Sequence, residues 1–398
     1  MWTIVAGGAV SSLGNGFVLP YGSIYLHVVR GLAIPVVGGI LSLSALCSLL
    51  MGVAGGTLVD RASPKTMILV GLTAQALGFA YLGYVTNVPE AAVSMLLIGI
   101  GAGCFYPAIA ALLAAVTTRE ERATAASLQY AANNLGIGLG AILGGLIIST
   151  SRPGSFTEIY LIDAFTFIAF WLLVLLLVPS GRAAVGKAER AGYTEVLRDL
   201  KFMALVAFNG VIVISAYSQL DSAVPLYARV FLAVPTAAIG LMLAANTGFI
   251  VIAQLPITHL VRRQPRTRTL MLAGGAWTAT WLVGEVASLH RGLGAAAWLG
   301  LFAVVFGVGE CLLSATIGPL VADMARPAAR GRYMATFNLS WSLGLLVGPS
   351  VGGLVVGSIV RPAMWALWAA VSFGLVLWAR ALAHHLPDSV NLPPEAIG

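Results

Sequence analysis

The sequence predicts an all-α membrane protein, with twelve transmembrane helices in two pseudo-symmetric six-helix bundles. Three observations carry that prediction. Of 398 residues, 59% are hydrophobic and only 9% are charged, whereas soluble domains carry about 25% charged residues. The apolar residues gather into twelve runs, each near the roughly 20 residues that span a bilayer. A glycine motif is also written twice, as Gly136-Ile-Gly-Leu-Gly140-Ala141-Ile-Leu-Gly144-Gly145 and as Gly344-Leu-Leu-Val-Gly348-Pro349-Ser-Val-Gly352-Gly353. Glycines at i, i+4 and i+8 share one helix face, where a second backbone can approach closely. The same offset of 208 residues sets Arg122 on Arg330, Gly101 on Gly309 and Gly99 on Gly307, and an offset of 205 sets Pro20 on Pro225.

The twelve runs are 4–29, 34–59, 66–86, 90–116, 123–149, 157–179, 203–228, 233–260, 268–289, 293–321, 333–357 and 361–384. The chain divides into a first bundle at 1–179, a linker at 180–202, a second bundle at 203–385 and a tail at 386–398. The linker is the only polar connection of any length, and its end, Tyr193–Leu200, can form a short surface helix. Internal duplication of membrane helices is the mark of a transporter.

Charge sets the orientation. With one side of the membrane assigned to both termini, seventeen of the 22 Lys and Arg residues fall there; the other side keeps Arg30, Arg152, Arg229, Arg291 and Arg361. The positive-inside rule then puts both termini in the cytoplasm. The net charge of +7 does not point to nucleic acid, because the bases lie in short clusters between apolar runs with no aromatic interleaving. Cys47, Cys104 and Cys311 all fall inside apolar runs with no metal-ligand spacing, so disulfides and metal are not expected. No cleavable signal is read, since the first run lacks a basic leader.

Six plus six helices with a duplicated glycine motif resemble the major facilitator superfamily. Gly56-Thr-Leu-Val-Asp60-Arg61-Ala-Ser63-Pro64-Lys65 is similar to that superfamily's loop motif between helices two and three (G-x-L-x-D-R-x-G-R-K), with Ser63 and Pro64 replacing Gly and Arg. The glycine motifs resemble the G-x-x-x-G-P-x-x-G-G motif of its drug–proton antiporters. The copy in run eleven is complete, and the copy in run five has Ala141 in place of Pro. Met95 stands four residues before Gly99, where the family often has an arginine linked to proton coupling. The resemblance implies a midplane cavity lined by helices 1, 4, 5, 7, 10 and 11.

Ionisable groups inside a membrane cost roughly 2.5–3.5 kcal/mol at a helix centre on insertion scales. Four carboxylates lie within apolar runs: Asp163, Asp221, Glu285 and Glu310. Asp163 and Glu285 are read as close enough to their helix ends to snorkel or pair locally. Glu310 lies near the middle of run ten, and Asp221 one turn before Pro225, which frees a backbone carbonyl. Glu310 and Asp221 are the candidates for carrying a proton; the alternative for each is a buried acid bonded for packing. Candidates for substrate contact are Asn15, Tyr21, Phe105, Tyr106, Gln129, Asn133, Tyr217, Gln219, Asn338 and Trp341, each equally open to a packing role. Gln129, Asn133, Gly136 and Gly140 form a single stripe. Trp277 and Trp281 are read as lipid-facing.

Asp60 can meet the positive N-terminus of helix eleven near Arg332. In the superfamily that this chain resembles, such a cluster holds the two bundles together on the inside, so the resemblance makes Asp60, Arg61, Lys65, Arg122, Arg330 and Arg332, with Gly136, Gly140, Gly144, Gly344, Gly348, Pro349 and Gly352, the candidates for conformational gating; for the bases, the alternative is setting topology alone. Proton-coupled export of a hydrophobic or weakly cationic organic compound across a bacterial inner membrane is the expected function. The protein is expected to act as a monomer, with no cofactor beyond the proton gradient. A nutrient importer or facilitator on the same fold is the first alternative, favoured by Met95 and Ala141. A membrane enzyme or lipid-handling protein is the second, with no Ser/His/Asp, metal or phosphate-loop constellation to support it.

Overall fold

The computed structural model describes residues 2–59, 63–116, 121–178, 194–325 and 329–392. These form twelve long helical rods, with no strand among the described residues beyond an isolated bridge between Ser149 and Arg152. The rods are α1 (Trp2–Val18, continued in shorter turns to Val29), α2 (Ile34–Val59), α3 (Pro64–Leu82), α4 (Val88–Val116), α5 (Glu121–Ile147) and α6 (Gly154–Leu177) in the first half. The second half holds α7 (Leu200–Ile212, continued to Val230), α8 (Thr236–Val261), α9 (Arg266–Ser288), α10 (Gly292–Met324), α11 (Arg330–Val356) and α12 (Met364–Ala383). Among the described residues, nine of these rods are long and apolar enough on their own to cross a membrane. The other three are α1, which is divided by turns, α5, whose apolar part is Ala132–Ile147, and α9, which opens on Arg266-Thr-Arg268.

Prolines and caps fix where the rods bend and begin. Pro20 sits in a 3-10 turn, Leu19–Tyr21, which interrupts α1. The matching Pro225 follows a break at Ser222, whose φ of −125° and ψ of −67° lie outside the helical region. Proline lacks the N–H that would bond the carbonyl four residues back, so both first helices of the two halves yield near the same level. Ser63 caps α3 by accepting from the Thr66 N–H, and Asp199 caps α7 by accepting from the Phe202 N–H, each satisfying a donor that a helix start leaves open. A short helix, Thr194–Arg198, lies in the stretch where the sequence allows one.

The glycine motifs pack helices within each half. A Cβ added at Gly136 would lie 2.8 Å from the Ala9 carbonyl oxygen, one at Gly140 would overlap the Leu13 carbonyl, and one at Gly144 would lie 2.9 Å from the Phe17 carbonyl. Helix α5 therefore lies directly on the α1 backbone. In the second copy, Gly344, Gly348 and Gly352 receive the side chains of Val213, Ser218 and Gln219 from α7. The next glycine in each copy faces the other half: Gly145 lies against Thr236 and Ala237 of α8, and Gly353 against Ile34 and Gly38 of α2.

Two expectations about burial are corrected. Trp277 and Trp281 are fully buried, not lipid-facing. Trp277 lies on Gly309 of α10, and Trp281 packs among Phe302, Trp365 and Trp368. The second half thus uses its largest rings to fill the space between α9, α10 and α12. Asp163 does not snorkel either: it is fully buried on α6 against Gly14 of α1, with Thr166 as its side-chain partner. Glu285 keeps part of its surface, although its Oε2 is buried without a partner.

Candidate functional site: the space between the halves

The two halves touch along α2–α11 and α5–α8. Six hydrogen bonds join them among the described residues. Tyr21 Oη donates to Thr236 O at 3.5 Å, besides bonding Ala141 O of its own half at 2.9 Å. Ser23 Oγ donates to Ser222 O at 2.9 Å, Thr236 Oγ1 to Ile148 O at 2.9 Å, and Arg229 to Thr150 Oγ1. The Ser350 N–H donates to Ser42 Oγ at 3.1 Å, and the two serine hydroxyls bond at 2.8 Å. The closest glycine approaches between halves, Gly38 on the Pro349 carbonyl and Gly240 on the Ala141 carbonyl, share this region. All of these lie toward the end opposite the termini. Gly138 of α5 meets Thr247 of α8 next to these contacts.

Deep in the helices, several polar side chains keep accessible surface. Glu310 of α10 and Asp221 of α7 are half-buried, and they lie near enough to act on each other electrostatically. Asn246 of α8 donates to Glu310 Oε2 at 2.7 Å and to Ala303 O at 3.2 Å. The Tyr217 ring stands 4.7 Å from Trp341 and 6.0 Å from Trp277 and from Phe306. Tyr217 and Trp341, both half-buried, and two carboxylates therefore furnish the wall of the second half, with the buried rings of Trp277 and Phe306 packed behind them. The wall of the first half is neutral: Asn15, Gln129 and Asn133 are half-buried, and Gln129 and Asn133 lie beside Gly8 of α1. Asn133 Oδ1 is buried and has no partner.

The other residues singled out in the sequence fall in different places. Tyr21 is fully buried in the seam between the halves, away from the open space. Gln219 is fully buried too, donating to Gly348 O at 3.0 Å and Ile214 O at 2.7 Å, which fastens α7 to α11. Phe105 turns back onto Phe170 and Gly71 inside the first half, whereas Tyr106 and Asn338 are exposed. Met95 is buried in the core of the first half. Asp60 and Arg61 lie outside the described residues, as do the side chains of Arg122 and Arg330. Lys65 Nζ donates to the carbonyls of Leu175 and Val178, which caps the negative end of α6.

In the first turn of α11 the Tyr333 hydroxyl donates to Asp199 Oδ2 at 2.9 Å. Arg332, beside it, is half-buried. Sequence reasoning also missed Asn246. A lone amide in an apolar run was the available signal, in a helix outside the six that the resemblance assigns to the cavity.

Two joined helical halves with polar side chains at mid-depth have the build of a membrane transporter of the alternating-access type. The Major Facilitator Superfamily model matches residues 4–297 and 232–396, and the chain belongs to that superfamily. It is 26% identical to the MFS-type transporter YqjV of Bacillus subtilis (strain 168) over 89% of this chain and 86% of the relative. It is 27% identical to the multidrug resistance protein MdtH of Aeromonas hydrophila over 92% and 90%. Among solved structures it resembles the nucleoside transporter NupG (TM-score 0.73, 16% identity, 96% of this chain and 98% of that one). It also resembles a POT family transporter bound to 5-aminolevulinic acid (TM-score 0.81, 13% identity, 96% of each chain). The protein is a multi-pass membrane transporter for a small molecule, and not an enzyme.

Proposed function

We propose that this transporter exports a hydrophobic or weakly cationic organic compound in exchange for protons, with Glu310 and Asp221 carrying the proton. One observation carries the reading: the wall of the second half sets two accessible carboxylates beside the Tyr217–Trp341 pair, at a depth where uncompensated charge is expensive. Aromatic faces attract organic cations, and the carboxylates supply the matching charge. No Lys or Arg lies deep in any helix, which disfavours phosphorylated or dicarboxylate substrates. Similarity to multidrug resistance proteins supports the export direction.

The bias of Lys and Arg toward the terminus end supports cytoplasmic termini in a bacterial inner membrane. On that orientation the hydrogen bonds described between the halves lie toward the outer side. Asn15, Gln129, Asn133, Tyr106 and Asn338 complete the substrate space, and Tyr21 belongs with the seam. The chain works as a monomer with no bound cofactor. A facilitator without protons is the second reading, favoured by Met95, a buried thioether at the position the resemblance gives to an arginine.

The test is reconstitution in liposomes under a pH gradient, with internal pH followed as lipophilic cations and neutral antibiotics are added. Substrate-driven proton movement is expected in the wild type and is lost in Glu310→Gln or Asp221→Asn. Substrate flux without proton movement in every variant overturns proton coupling and leaves the facilitator.

A further inference from the structure

We propose that Asn246 is the positioning residue that carries the state of Glu310 into the α5–α8 seam. The inference rests on the reading of Glu310 as a proton carrier. Asn246 is buried on α8, and its amide donates at 2.7 Å to Glu310 Oε2. The same amide donates to Ala303 O on α10 and lies against Gly307. A Cβ at position 307 would stand 2.9 Å from the Phe249 ring and 3.4 Å from the amide, so the glycine keeps α8 and α10 close at this level.

The neighbouring residue on α8 looks the other way. Thr247 is buried, and a Cβ at Gly138 of α5 would stand 3.3 Å from its Cγ2. Successive residues on a helix point about 100° apart, so one turn of α8 touches both the acid and the opposite half. An ionised Glu310 holds Asn246 by a charge-assisted bond. A neutral one loses most of that attraction, and α8 is then free to shift against α10. Because interfaces of this kind repack in steps, the shift reaches the Gly138–Thr247 contact and the Gly240–Ala141 approach beyond it.

The surroundings of Glu310 leave few other groups for this task. From α7, Asp221 faces it, and on α10 itself Cys311 adjoins it. The charged or titratable residues of α8, α9 and α11 are His259, Arg266, Arg268, Glu285, Arg330, Arg332 and Tyr333, all toward the helix ends. At the depth of Glu310 these helices offer Asn246, Trp277 and Trp341.

The experiment follows the separation of the halves directly, without a substrate. The full-length protein in detergent carries labels at the exposed loop positions Ser151→Cys and Leu289→Cys in a Cys47→Ser background, and label–label distance is read against pH. The wild type is expected to switch with one midpoint. Loss of a hydrogen bond to the ionised carboxylate favours the neutral acid, so Asn246→Ala moves that midpoint up by about one pH unit. Asn246→Ser, which keeps a donor and preserves the fold more readily, moves it less in the same direction. Glu310→Gln abolishes the response, and Asn246→Ala adds nothing to it.

A midpoint unmoved in both Asn246 variants, or a shift that persists in Glu310→Gln, overturns the inference while the proton reading stands. A wild type with no pH response removes both. Under proteoliposome assay, a drop in maximal rate with an unchanged pH profile also overturns it, since that is what loosened packing alone produces.

Discussion

The two halves of this transporter repeat one topology and differ in what they put inside it. The first half seats α5 directly on the α1 backbone through Gly136, Gly140 and Gly144, and it offers neutral amides to the space between the halves. The second half fits α7 side chains into the same notches, fills its core with indoles and keeps both accessible deep acids. Duplication therefore preserved how each half is built, while the chemistry that faces the substrate diverged. The lesson is that backbone-level packing is shared, and charge is assigned to one side.

The largest test of this contrast is Trp281→Ala. Removing a fully buried indole from the aromatic core of the second half is expected to cost about 3–5 kcal/mol, read as a lowered unfolding temperature in detergent. Near-wild-type stability would mean that the indoles are not what holds that half together.

Next comes a pair of glycine substitutions. Gly140→Ala drives a methyl group into the Leu13 carbonyl, and about 1–3 kcal/mol is expected. Gly352→Ala meets the Gln219 side chain, which can give way where a backbone carbonyl cannot, at some cost to its bonds with Gly348 O and Ile214 O, and a smaller loss is expected. Equal losses would erase the distinction between backbone and side-chain packing.

Contacts between the halves should alter conformation more than stability. Tyr21→Phe removes the hydroxyl that bonds Ala141 and Thr236, worth about 1 kcal/mol. The equilibrium between closed and open seam should shift roughly fivefold toward opening, measured as the separation of labels across α5 and α8. Ser42→Ala is expected to do the same by less, because Ser42–Ser350 is a neutral pair. A Tyr21→Phe protein with unchanged separation would place the controlling contact elsewhere.

The smallest effect belongs to Tyr160→Phe in the first half. Its hydroxyl is buried with no hydrogen-bond partner, so removal should be neutral or slightly stabilising. A loss above about 1 kcal/mol would reveal a partner for that hydroxyl.

Sequence alone determined the membrane class, the helical rods, the duplication and the two deep acids. Each follows from a local or periodic rule: apolar length, glycine spacing, or the cost of a charge in lipid. Glu310 and Asp221 were legible because an acid inside an apolar run stands out on that cost. What the rules did not reveal was direction around the helix. Trp277 reads as lipid-facing on composition and is buried, because the hydropathy of a spanning helix is nearly uniform around its circumference and does not distinguish lipid from core. Asp163 lay inside for the same reason. Tyr21, Gln219 and Phe105 read equally as cavity or packing residues and are packed against neighbouring helices in this structure, since an aromatic or amide side chain suits either place. The tertiary structure alone decided which residues bridge the two halves, that Asp199 meets Tyr333, and that Asn246 meets Glu310 across 64 residues of chain. Those contacts join separate helices, and their geometry depends on how rigid rods pack, which no single helix encodes.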